Sequence, residues 1–443
     1  MLAIAAGCTP AQQAAAPKPV TPPPAATTAP RAIAPQVETL PPLVSDIKLR
    51  PPVGTRGTVT VAFLAPLSGP NGPLGQAMLN AAQLALFELG GVEEGGDGRE
   101  IALAPRDTGG TPEGARQAAQ EALESGAQLI LGPLFSAEVE AVAPLARGRN
   151  VPVVAFTNDY AVAGNGVYII GFTPEMQIER VVGYAAGRGA TKFAALVPES
   201  VYGQRLTGAL QAAVNRLNAQ VTRVETYDVA LTTQGVSPVV RKLANYDQRH
   251  AALLAQRKEL TARNDEASRA ALRRLQNVET LGDVDFDALI ISESGERLKV
   301  IAPLLLFYDI DPRRVRSLGP IEWNAPETWT EPALVGGWYP AAPDASQAAF
   351  NTAYRAAYGQ LPPPRATLGY DATALAVVLA RGAAWDQFTR EALTASNGFA
   401  GIDGIFRLTP AGVAERGLAV KEVGTRAARV VSPPLQSFEK LTD

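Results

Sequence analysis

The chain alternates short apolar, β-branched runs with segments of helical periodicity, and this alternation constrains its fold more than any other feature. Thr58 to Leu64 (TVTVAFL) is typical of a buried parallel strand. It leads through a turn cluster into Leu74 to Leu89, where leucine and alanine recur at helical spacing. Strand, loop and helix in this order open a βαβ unit. Their repetition predicts a parallel sheet covered by helices on both faces.

The alternation continues in two series along the chain. The first predicts further strands at 100–106, 127–131, 151–156 and 166–171, and helices at 111–125 and 137–147. The second, after Thr173-Pro174, predicts helices at 175–187 and 203–217 and strands at 192–197, 220–227 and 286–292. Two α/β units of similar layout indicate two lobes with a cleft between them. In such sheets, ligands bind at the carboxyl ends of the strands.

Composition excludes most catalytic and metal chemistry. The 443 residues include one histidine, His250, and one cysteine, Cys8. A structural zinc site needs several Cys or His ligands, and a Ser-His-Asp arrangement needs its histidine beside the nucleophile. The net charge of −3 gives no basic footprint for nucleic acid. Carboxylate-based hydrolysis and phosphate-loop chemistry survive this count, but the chain offers no suitable acid and base pair and no glycine motif with the required spacing. We therefore expect no enzymatic activity, no cofactor, no metal ion and no nucleic-acid partner.

The first eight residues are similar to the end of a lipoprotein signal peptide. Met1 to Gly7 is apolar, is too short to span a bilayer, and ends in small residues directly before Cys8. In this interpretation Ala5-Ala6-Gly7-Cys8 is a lipobox, and lipidation of Cys8 anchors the protein to a membrane. The alternative is a short apolar start with an incidental cysteine. Residues 9–56 hold 12 of the 36 prolines, which predicts a disordered, semi-rigid tether.

Several segments of the globular part resemble the type I periplasmic-binding fold of leucine/isoleucine/valine-binding proteins. They are Val61 to Leu89, Leu131 to Ser136 (LGPLFS), Val151 to Thr157 (VPVVAFT) and Tyr202-Gly203-Gln204. The resemblance covers roughly residues 57–425. Within that superfamily, Gly369 to Ala372 (GYDA) and the stretch from Asp403 to Val420 are most similar to bacterial lipoproteins called penicillin-binding-protein activators.

The resemblance implies an α/β domain of two lobes, each a mainly parallel sheet flanked by helices, with three crossovers between them. Lobe 1 would take residues 57–172 and 341–402, and lobe 2 would take 173–340 and 403–425, with a C-terminal tail at 426–443. Three hinge crossovers permit the lobes to close around a ligand.

A charged insertion at 238–281 lies between two predicted strands of lobe 2. It holds nine Arg or Lys residues and five Asp or Glu residues. Apolar residues near helical spacing predict one long helix or a helical hairpin broken near Asn264-Asp265. The insertion is either a solvated amphipathic helix packed on lobe 2 or an arm that docks a partner. His250 lies within it, and we expect this residue at the surface.

Seven residues, most of them polar and several of them just after predicted strands, form a candidate site for an amino-acid-like ligand. The candidates are Ser68, Ser136, Ala155, Thr157, Tyr202, Glu293 and Asp371. Hydroxyl groups and helix N-termini bind a carboxylate, and an ammonium group needs an acid. By resemblance, Ser136 and the Ala155–Thr157 segment fall where the family binds the ligand's α-carboxylate, and Tyr202 falls at the rim of lobe 2. Glu293, and secondarily Asp371, would meet the ammonium group. The alternative is that these serine and threonine residues merely cap helices.

Two functions remain. The resemblance to penicillin-binding-protein activators implies a periplasmic, lipid-anchored regulator, with the outer membrane favoured for its anchor. Its partner would be a penicillin-binding protein or another cell-wall synthase of peptidoglycan synthesis. The alternative is the solute-binding component of an ABC importer for branched-chain or other amino acids or amides. The long tether and the charged insertion favour the regulator, whereas the strand-end hydroxyl groups favour binding of a small molecule.

Overall fold

The computed structural model describes residues 58–90, 100–230, 232–381 and 387–438. The predicted lipidation site at Cys8 and the predicted tether at 9–56 lie outside these residues. The described chain forms two α/β lobes, each built around its own sheet. Every strand and helix predicted between residues 58 and 227 is present.

The sheet of lobe 1 has five parallel strands in the order β2-β1-β3-β4-β5. The elements are β1 Val59–Ala65, α1 Gly72–Leu89, β2 Ile101–Asp107, α2 Pro112–Glu124, β3 Leu129–Leu131, α3 Ser136–Gly148, β4 Val153–Ala155 and β5 Val167–Ile169. Val61 and Phe63 of β1 pack against α1, whereas Ala62 and Leu64 pack against α2 and α3. Burial on both faces explains the continuous apolar runs in these strands.

The sheet of lobe 2 has seven strands in the order β15-β14-β10-β9-β8-β6-β7. Its first elements are α4 Pro174–Ala186, β6 Lys192–Pro198, α5 Val201–Arg216, β7 Gln220–Tyr227, α6 Thr233–Leu243, α7 Tyr246–Arg263, α8 Glu266–Leu275, β8 Ala288–Ile291, α9 Gly295–Phe307, β9 Arg316–Leu318, α10 Pro326–Trp329 and β10 Trp338–Ala341. Strand β6 alternates as β1 does, because Phe193 packs towards α4 and α5 and Ala194 packs towards α6 and α9.

The chain then returns to lobe 1 before it ends in lobe 2. The remaining elements are α11 Asp344–Tyr358, α12 Ala366–Ala380, α13 Arg390–Leu393, β11 Phe399–Gly401, β12 Gly404–Leu408, β13 Ala414–Arg416, β14 Ala419–Val423 and β15 Ala428–Ser432. Helix α12 packs against α1, and strands β11 to β13 form a small antiparallel sheet. Strand β14 pairs antiparallel with β10, and β15 pairs with β14.

This arrangement corrects two predicted boundaries near the C-terminus. We expected 403–425 to belong to lobe 2, but Phe406, Leu408 and Ala414 bury their side chains in the core of lobe 1. Only β14 and β15 join the sheet of lobe 2. Part of the predicted tail at 426–443 is therefore a paired strand, because β15 completes the edge of that sheet.

Three crossovers connect the lobes, as predicted. The first crossover is residues 170–173, between β5 and α4; the second is 342–343, between β10 and α11; the third is 417–418, between β13 and β14. The helical insertion in lobe 2 is also present. Helix α7 ends before Asn264, whose φ is +48°, and Asp265 accepts a hydrogen bond from the Ser268 N–H at the start of α8. No helix within the described ranges is long and apolar enough to cross a membrane.

Candidate ligand-binding site

Two hydroxyl groups lie at the ends of adjacent strands of lobe 1. Ser136 is the first residue of α3, just after β3, and Thr157 follows β4; the two strands pair in parallel. Ser136 is half-buried, and its hydroxyl group has no hydrogen-bond partner among the described residues. Thr157 is buried, and its Oγ1 accepts the Asp159 N–H at 3.2 Å, so its hydroxyl proton remains free to be donated. Because β3 and β4 are neighbouring parallel strands, the two hydroxyl groups lie on adjacent connections at the same edge of the sheet.

The third predicted hydroxyl, Ser68, has a different environment. It is exposed in the loop after β1, and its N–H donates to Asp107 Oδ1 at 3.3 Å. The N–H groups of Leu67 and Gly109 donate to the same oxygen, each at 2.8 Å. Burial acts to raise the pKa of Asp107, but the hydrogen bonds from Ser68, Gly109 and Leu67 outweigh it and lower that pKa. A resident carboxylate therefore already uses the donors of this loop.

Ala155 does not present its side chain to the site. It is fully buried in β4 and packs beneath α3, while its carbonyl oxygen accepts the Ile170 N–H at 2.9 Å. The structure thus gives Ala155 a role in the sheet. Thr157, two residues later, provides the polar group of this segment.

Tyr202 lies in the first turn of α5, at the strand end of β6. Its neighbour Gly203 lets α5 approach closely, because a Cβ atom there would lie 2.0 Å from the Pro198 carbonyl oxygen. The half-buried Tyr202 lines a cavity with Gln177, Ser292 and several apolar residues. The cavity volume is about 10 Å³, the order that one water molecule needs. Burial, together with nearby carboxylates, raises the pKa of Tyr202.

Glu293 follows β8 as predicted, but its charge is already used within lobe 2. It is 9% exposed, and its Oε1 accepts the Tyr227 hydroxyl at 2.5 Å. The same oxygen lies 3.6 Å from Arg297 Nη1. The Glu293 carbonyl oxygen accepts the Trp323 Nε1–H at 2.8 Å. These partners make Glu293 part of the packing of lobe 2 and leave it poorly suited to receive a ligand's ammonium group.

Asp371, the second predicted acid, lies in the core of lobe 1 and not at a strand end. It is 0% exposed in α12, and its Oδ2 lies 3.3 Å from Arg416 Nη1. Its Oδ1 accepts the Ile402 N–H at 2.7 Å. A solute in the cleft does not reach this carboxylate, because protein atoms surround it completely.

A charged cluster that the sequence reasoning missed joins the two lobes. Asp159, in the loop after β4, forms an ion pair with Arg205 of α5, and the Arg205 guanidinium carbon lies 4.8 Å from the centroid of the Tyr160 ring. Glu175, at the start of α4, is close enough for Arg205 and Asp159 to influence its ionisation. We call Asp159, Tyr160, Glu175 and Arg205 the cleft cluster. The sequence held one indication of this cluster: Asp159 and Arg205, of opposite charge, lie within three residues of the candidate positions Thr157 and Tyr202.

Glu175 is the cleft-cluster acid that lacks a full set of partners. Its Oε2 is buried and has no hydrogen-bond partner in the described part of the chain. Burial raises the pKa of Glu175, and nearby Arg205 opposes that rise. The cleft cluster contains two carboxylates and one guanidinium group, so a cation from a ligand would balance its charge.

Metal binding has no support in the part of the chain that the structure describes. No three His, Cys, Asp or Glu side chains there are grouped closely enough to hold a metal ion. His250, in α7, is partly exposed and stacks on Tyr246 with ring centroids 5.6 Å apart; its Nδ1 lies 2.7 Å from the Glu279 carbonyl oxygen.

The comparisons with known proteins agree with this architecture. A family model described as periplasmic binding protein matches residues 58–254. An uncharacterized protein of Rickettsia prowazekii is 25% identical over 118 residues, which cover 27% of this chain. The match spans about a third, 31%, of the length of that curated relative.

Solved structures with the same fold cover most of the described chain. A putative branched-chain amino acid ABC transporter protein of Rhodospirillum rubrum is 18% identical, with 84% of this chain and 100% of that chain covered and a TM-score of 0.65. The substrate-binding protein LivJ of Streptococcus pneumoniae, in complex with isoleucine, is 19% identical (85% and 100% covered, TM-score 0.54). A solute-binding protein of Rhodopseudomonas palustris, in complex with benzoate, is 19% identical (86% and 98% covered, TM-score 0.53). The chain has the two-lobed type I periplasmic-binding fold of these proteins.

Proposed function

We propose that the protein is the solute-binding component of an ABC importer and that it captures a small amino acid between its lobes. The observation that carries the proposal is the pair of donors at Ser136 and Thr157. They lie at the ends of adjacent strands, and the Ser136 hydroxyl also lies at the N-terminus of α3, where the helix dipole favours an anion. A ligand carboxylate satisfies both donors at once.

The cleft cluster supplies the group for the other end of the ligand. In this proposal the ammonium group of the amino acid pairs with Glu175, whose Oε2 is buried without a partner. Glu175 takes the place that we expected for Glu293, because Tyr227 and Arg297 already occupy Glu293. Titratable side chains serve here for binding and positioning, and the proposal includes no catalytic step.

The test is isothermal titration calorimetry of the full chain with the common amino acids and with benzoate. We expect one class of amino acid to bind and benzoate, which has no ammonium group, to bind more weakly. Ser136→Ala and Thr157→Val should each reduce affinity roughly tenfold or more, because each removes a hydrogen bond to a charged group. Ser125→Ala, which alters a serine at the end of α2, near the amino end of β3 and so at the opposite edge of the sheet, is the matched control. Absence of binding by every amino acid at millimolar concentration would contradict the proposal.

Lipidation at Cys8 and a periplasmic location are part of the same proposal. A lipid-anchored receptor stays near its permease, and the prolines of residues 9–56 would give it reach. The test is incorporation of labelled fatty acid in bacterial cells that express and export the chain. We expect Cys8→Ser to abolish labelling and move the protein to the soluble fraction, whereas Thr9→Ser should change neither.

The helical hairpin favours a second candidate, regulation of a cell-wall synthase. Helices α7 and α8 bury little: Arg249 and Leu253 in α7 and Ser268 in α8. Arg257 joins the two helices, because its Nη2 donates to the Leu275 carbonyl oxygen at 2.6 Å. Lys258, Arg273 and Arg274 are exposed and form no ion pair with any described residue. Such a basic surface fits an acidic face of a partner protein.

The measurement for this candidate is the glycan-polymerising and cross-linking rate of a purified penicillin-binding protein from the same organism. We expect the full chain to raise one of these rates and the double variant Arg273→Glu/Arg274→Glu to lose the effect. Arg147→Glu, a charge reversal at an exposed position of lobe 1, is the control that should retain it. A synthase rate that the wild-type chain leaves unchanged would exclude this candidate without affecting the amino-acid test.

A further inference from the structure

Two aspartates and an arginine are buried together in lobe 1, away from the candidate ligand-binding site. Asp371 of α12, Asp403 of the β11–β12 turn and Arg416 at the end of β13 are 0%, 2% and 7% exposed. Asp371 contacts Arg416 Nη1 at 3.3 Å and accepts the Ile402 N–H at 2.7 Å. Asp403 Oδ1 accepts a hydrogen bond from Gln347 Nε2 at 2.5 Å. We call Asp371, Asp403 and Arg416 the hinge cluster.

The hinge cluster contacts the first crossover between the lobes and adjoins the other two. Arg416 is the residue directly before the third crossover. Its Nη2 donates to the Ile170 carbonyl oxygen at 3.0 Å, and its guanidinium carbon lies 4.8 Å from the centroid of the Phe172 ring, both in the first crossover. Gln347, the partner of Asp403, lies in the first turn of α11, directly after the second crossover. A rotation of one lobe relative to the other changes the crossover torsions and so displaces Ile170 and Phe172 relative to Arg416.

The charges of the hinge cluster do not balance when both aspartates are ionised. Two carboxylates then share one guanidinium group without access to water, an arrangement that favours retention of one proton. Asp403 Oδ2 and Arg416 Nε are buried and have no hydrogen-bond partner in the described ranges. Burial raises the pKa of Asp371 to about 7, with repulsion from Asp403 adding to the rise and Arg416 opposing it. Burial also raises the pKa of Asp403.

The charged groups of the surrounding elements have partners of their own. Tyr370, next to Asp371 in α12, donates its hydroxyl to Glu88 Oε2 at 2.6 Å. Arg407 of β12 and Glu415 of β13 pair with each other, 2.7 Å apart. At the second crossover, Asp344 of α11 pairs with Lys421 of β14. The proton balance of the cluster therefore depends on Asp371, Asp403 and Arg416, with Gln347 and Thr367 as neutral neighbours.

We propose that the hinge cluster couples lobe closure to protonation: Asp371 and Asp403 share a proton while the lobes are in contact. When the crossovers rotate and water reaches the cluster, that proton passes to solvent and both carboxylates ionise. Closure then takes up a proton from solvent. This coupling lies beyond the proposed importer function and does not depend on it, because it concerns the ligand-free chain.

The direction of the pH dependence follows from linkage. In the closed form the pKa of Asp371 is raised to about 7. In the proposed open form, hydration returns it towards the ordinary aspartate value of about 3.9. Between these values the closed form binds more protons than the open form. Closure is therefore most favourable at the acidic end of this window and becomes less favourable as the pH rises towards 7, with no further change from this pair above it.

Double electron–electron resonance measures the distance between spin labels on the two lobes and so tests the coupling in the full, ligand-free chain. A Cys8→Ser background with Glu140→Cys and Gln211→Cys places one nitroxide label on an exposed face of each lobe. In the labelled chain that keeps both Asp371 and Asp403, we expect a short distance between the labels at about pH 5 and a growing population of longer distances at about pH 8. Asp403→Asn removes one carboxylate and should leave the short distance at both pH values. If the distance between the labels does not change with pH in the chain that keeps both aspartates, the proposal is overturned.

Two further variants and one spectroscopic measurement keep the test decisive. Asp371→Asn is the second variant, and a pH response that persists in both Asn variants would overturn the proposal. Asp287→Asn in lobe 2, which alters a carboxylate far from the crossovers, should keep the wild-type response. If neither hinge-cluster Asn variant folds, infrared spectroscopy of the wild-type chain decides. It should show the C=O band of a protonated buried carboxyl group at about pH 5 that is lost by about pH 8, and its absence would contradict a shared proton.

Discussion

The strand edges of the two lobes use their polar groups in different ways. At the edge of lobe 1, the Ser136 hydroxyl has no partner among the described residues and the Thr157 hydroxyl keeps a free proton. At the edge of lobe 2, Glu293 is already bonded to Tyr227 and lies beside Arg297. Polar residues that follow strands therefore serve different purposes in the two sheets. Lobe 1 leaves two hydroxyl donors without an acceptor among the described residues, whereas much of the polar network of lobe 2 stabilises the lobe itself.

The contrast has a local cause in the elements after each strand. In lobe 1, Phe135 precedes α3, and its N–H donates to Glu138 Oε2 at 2.9 Å, so the backbone and Glu138 cap the helix and Ser136 is not needed for that role. In lobe 2, Ser200 caps α5, because its Oγ accepts the Gly203 N–H at 3.2 Å. A hydroxyl group that caps its own helix is less available to a ligand.

Replacement of Glu293 should give the largest change in stability. Glu293→Leu removes the acceptor of the buried Tyr227 hydroxyl, which then has no partner and costs about 1–3 kcal/mol. We expect a matching fall in the free energy of unfolding, measured by urea denaturation, with little change in ligand affinity. Glu293→Gln keeps an acceptor and is the control that should lose much less. A large loss of affinity with unchanged stability would reverse the assignment of this residue.

Glu175 should show the opposite pattern. Glu175→Gln removes the charge that, in the proposed function, pairs with the ligand's ammonium group. Amino-acid affinity should therefore fall roughly tenfold, whereas binding of an analogue without the ammonium group should not. Unfolding stability should hold or rise slightly, because a buried carboxylate without a full set of partners is removed. Calorimetry and urea denaturation on the same preparation separate the two effects. Equal losses with both ligands would remove Glu175 from the site.

Loss of the ion pair between Arg205 and Asp159 should have a smaller effect than replacement of Glu293 or Glu175. Arg205→Met keeps much of the apolar stem but breaks the pair with Asp159, a partly exposed contact expected to contribute about 1 kcal/mol or less. We expect affinity to fall by no more than about fivefold, mainly through faster release of the ligand. Stopped-flow kinetics measure that rate. Arg216→Met, at an exposed pair with Glu179 elsewhere in lobe 2, is the control and should leave release unchanged.

The sequence predicts the sheets better than it predicts the use of polar residues. Strands such as β1 and β6 are evident because burial on both faces demands continuous apolar runs. The role of Asp371 depends on Arg416, 45 positions away, and that of Glu293 depends on Tyr227, 66 positions away. Neither pairing leaves a periodic signal. The short strands β11 to β13 fit the core of either lobe by pattern alone, which is why their placement in lobe 1 emerged only from the fold.

Replacement of Asp107 should give the smallest change in stability. Around this residue the edge of lobe 1 is similar to that of lobe 2, because its polar groups already have partners within the protein. Asp107→Asn weakens the hydrogen bonds from Leu67, Ser68 and Gly109, and for so exposed a group we expect at most a slight fall in the urea midpoint at neutral pH. The folded-state pKa of Asp107 is lowered, so its contribution is present above the ordinary aspartate pKa and is lost as pH falls through the lowered value. Wild-type and variant midpoints should therefore converge in strong acid. A difference that persists there would mean that Asp107 acts through its shape and not through its charge.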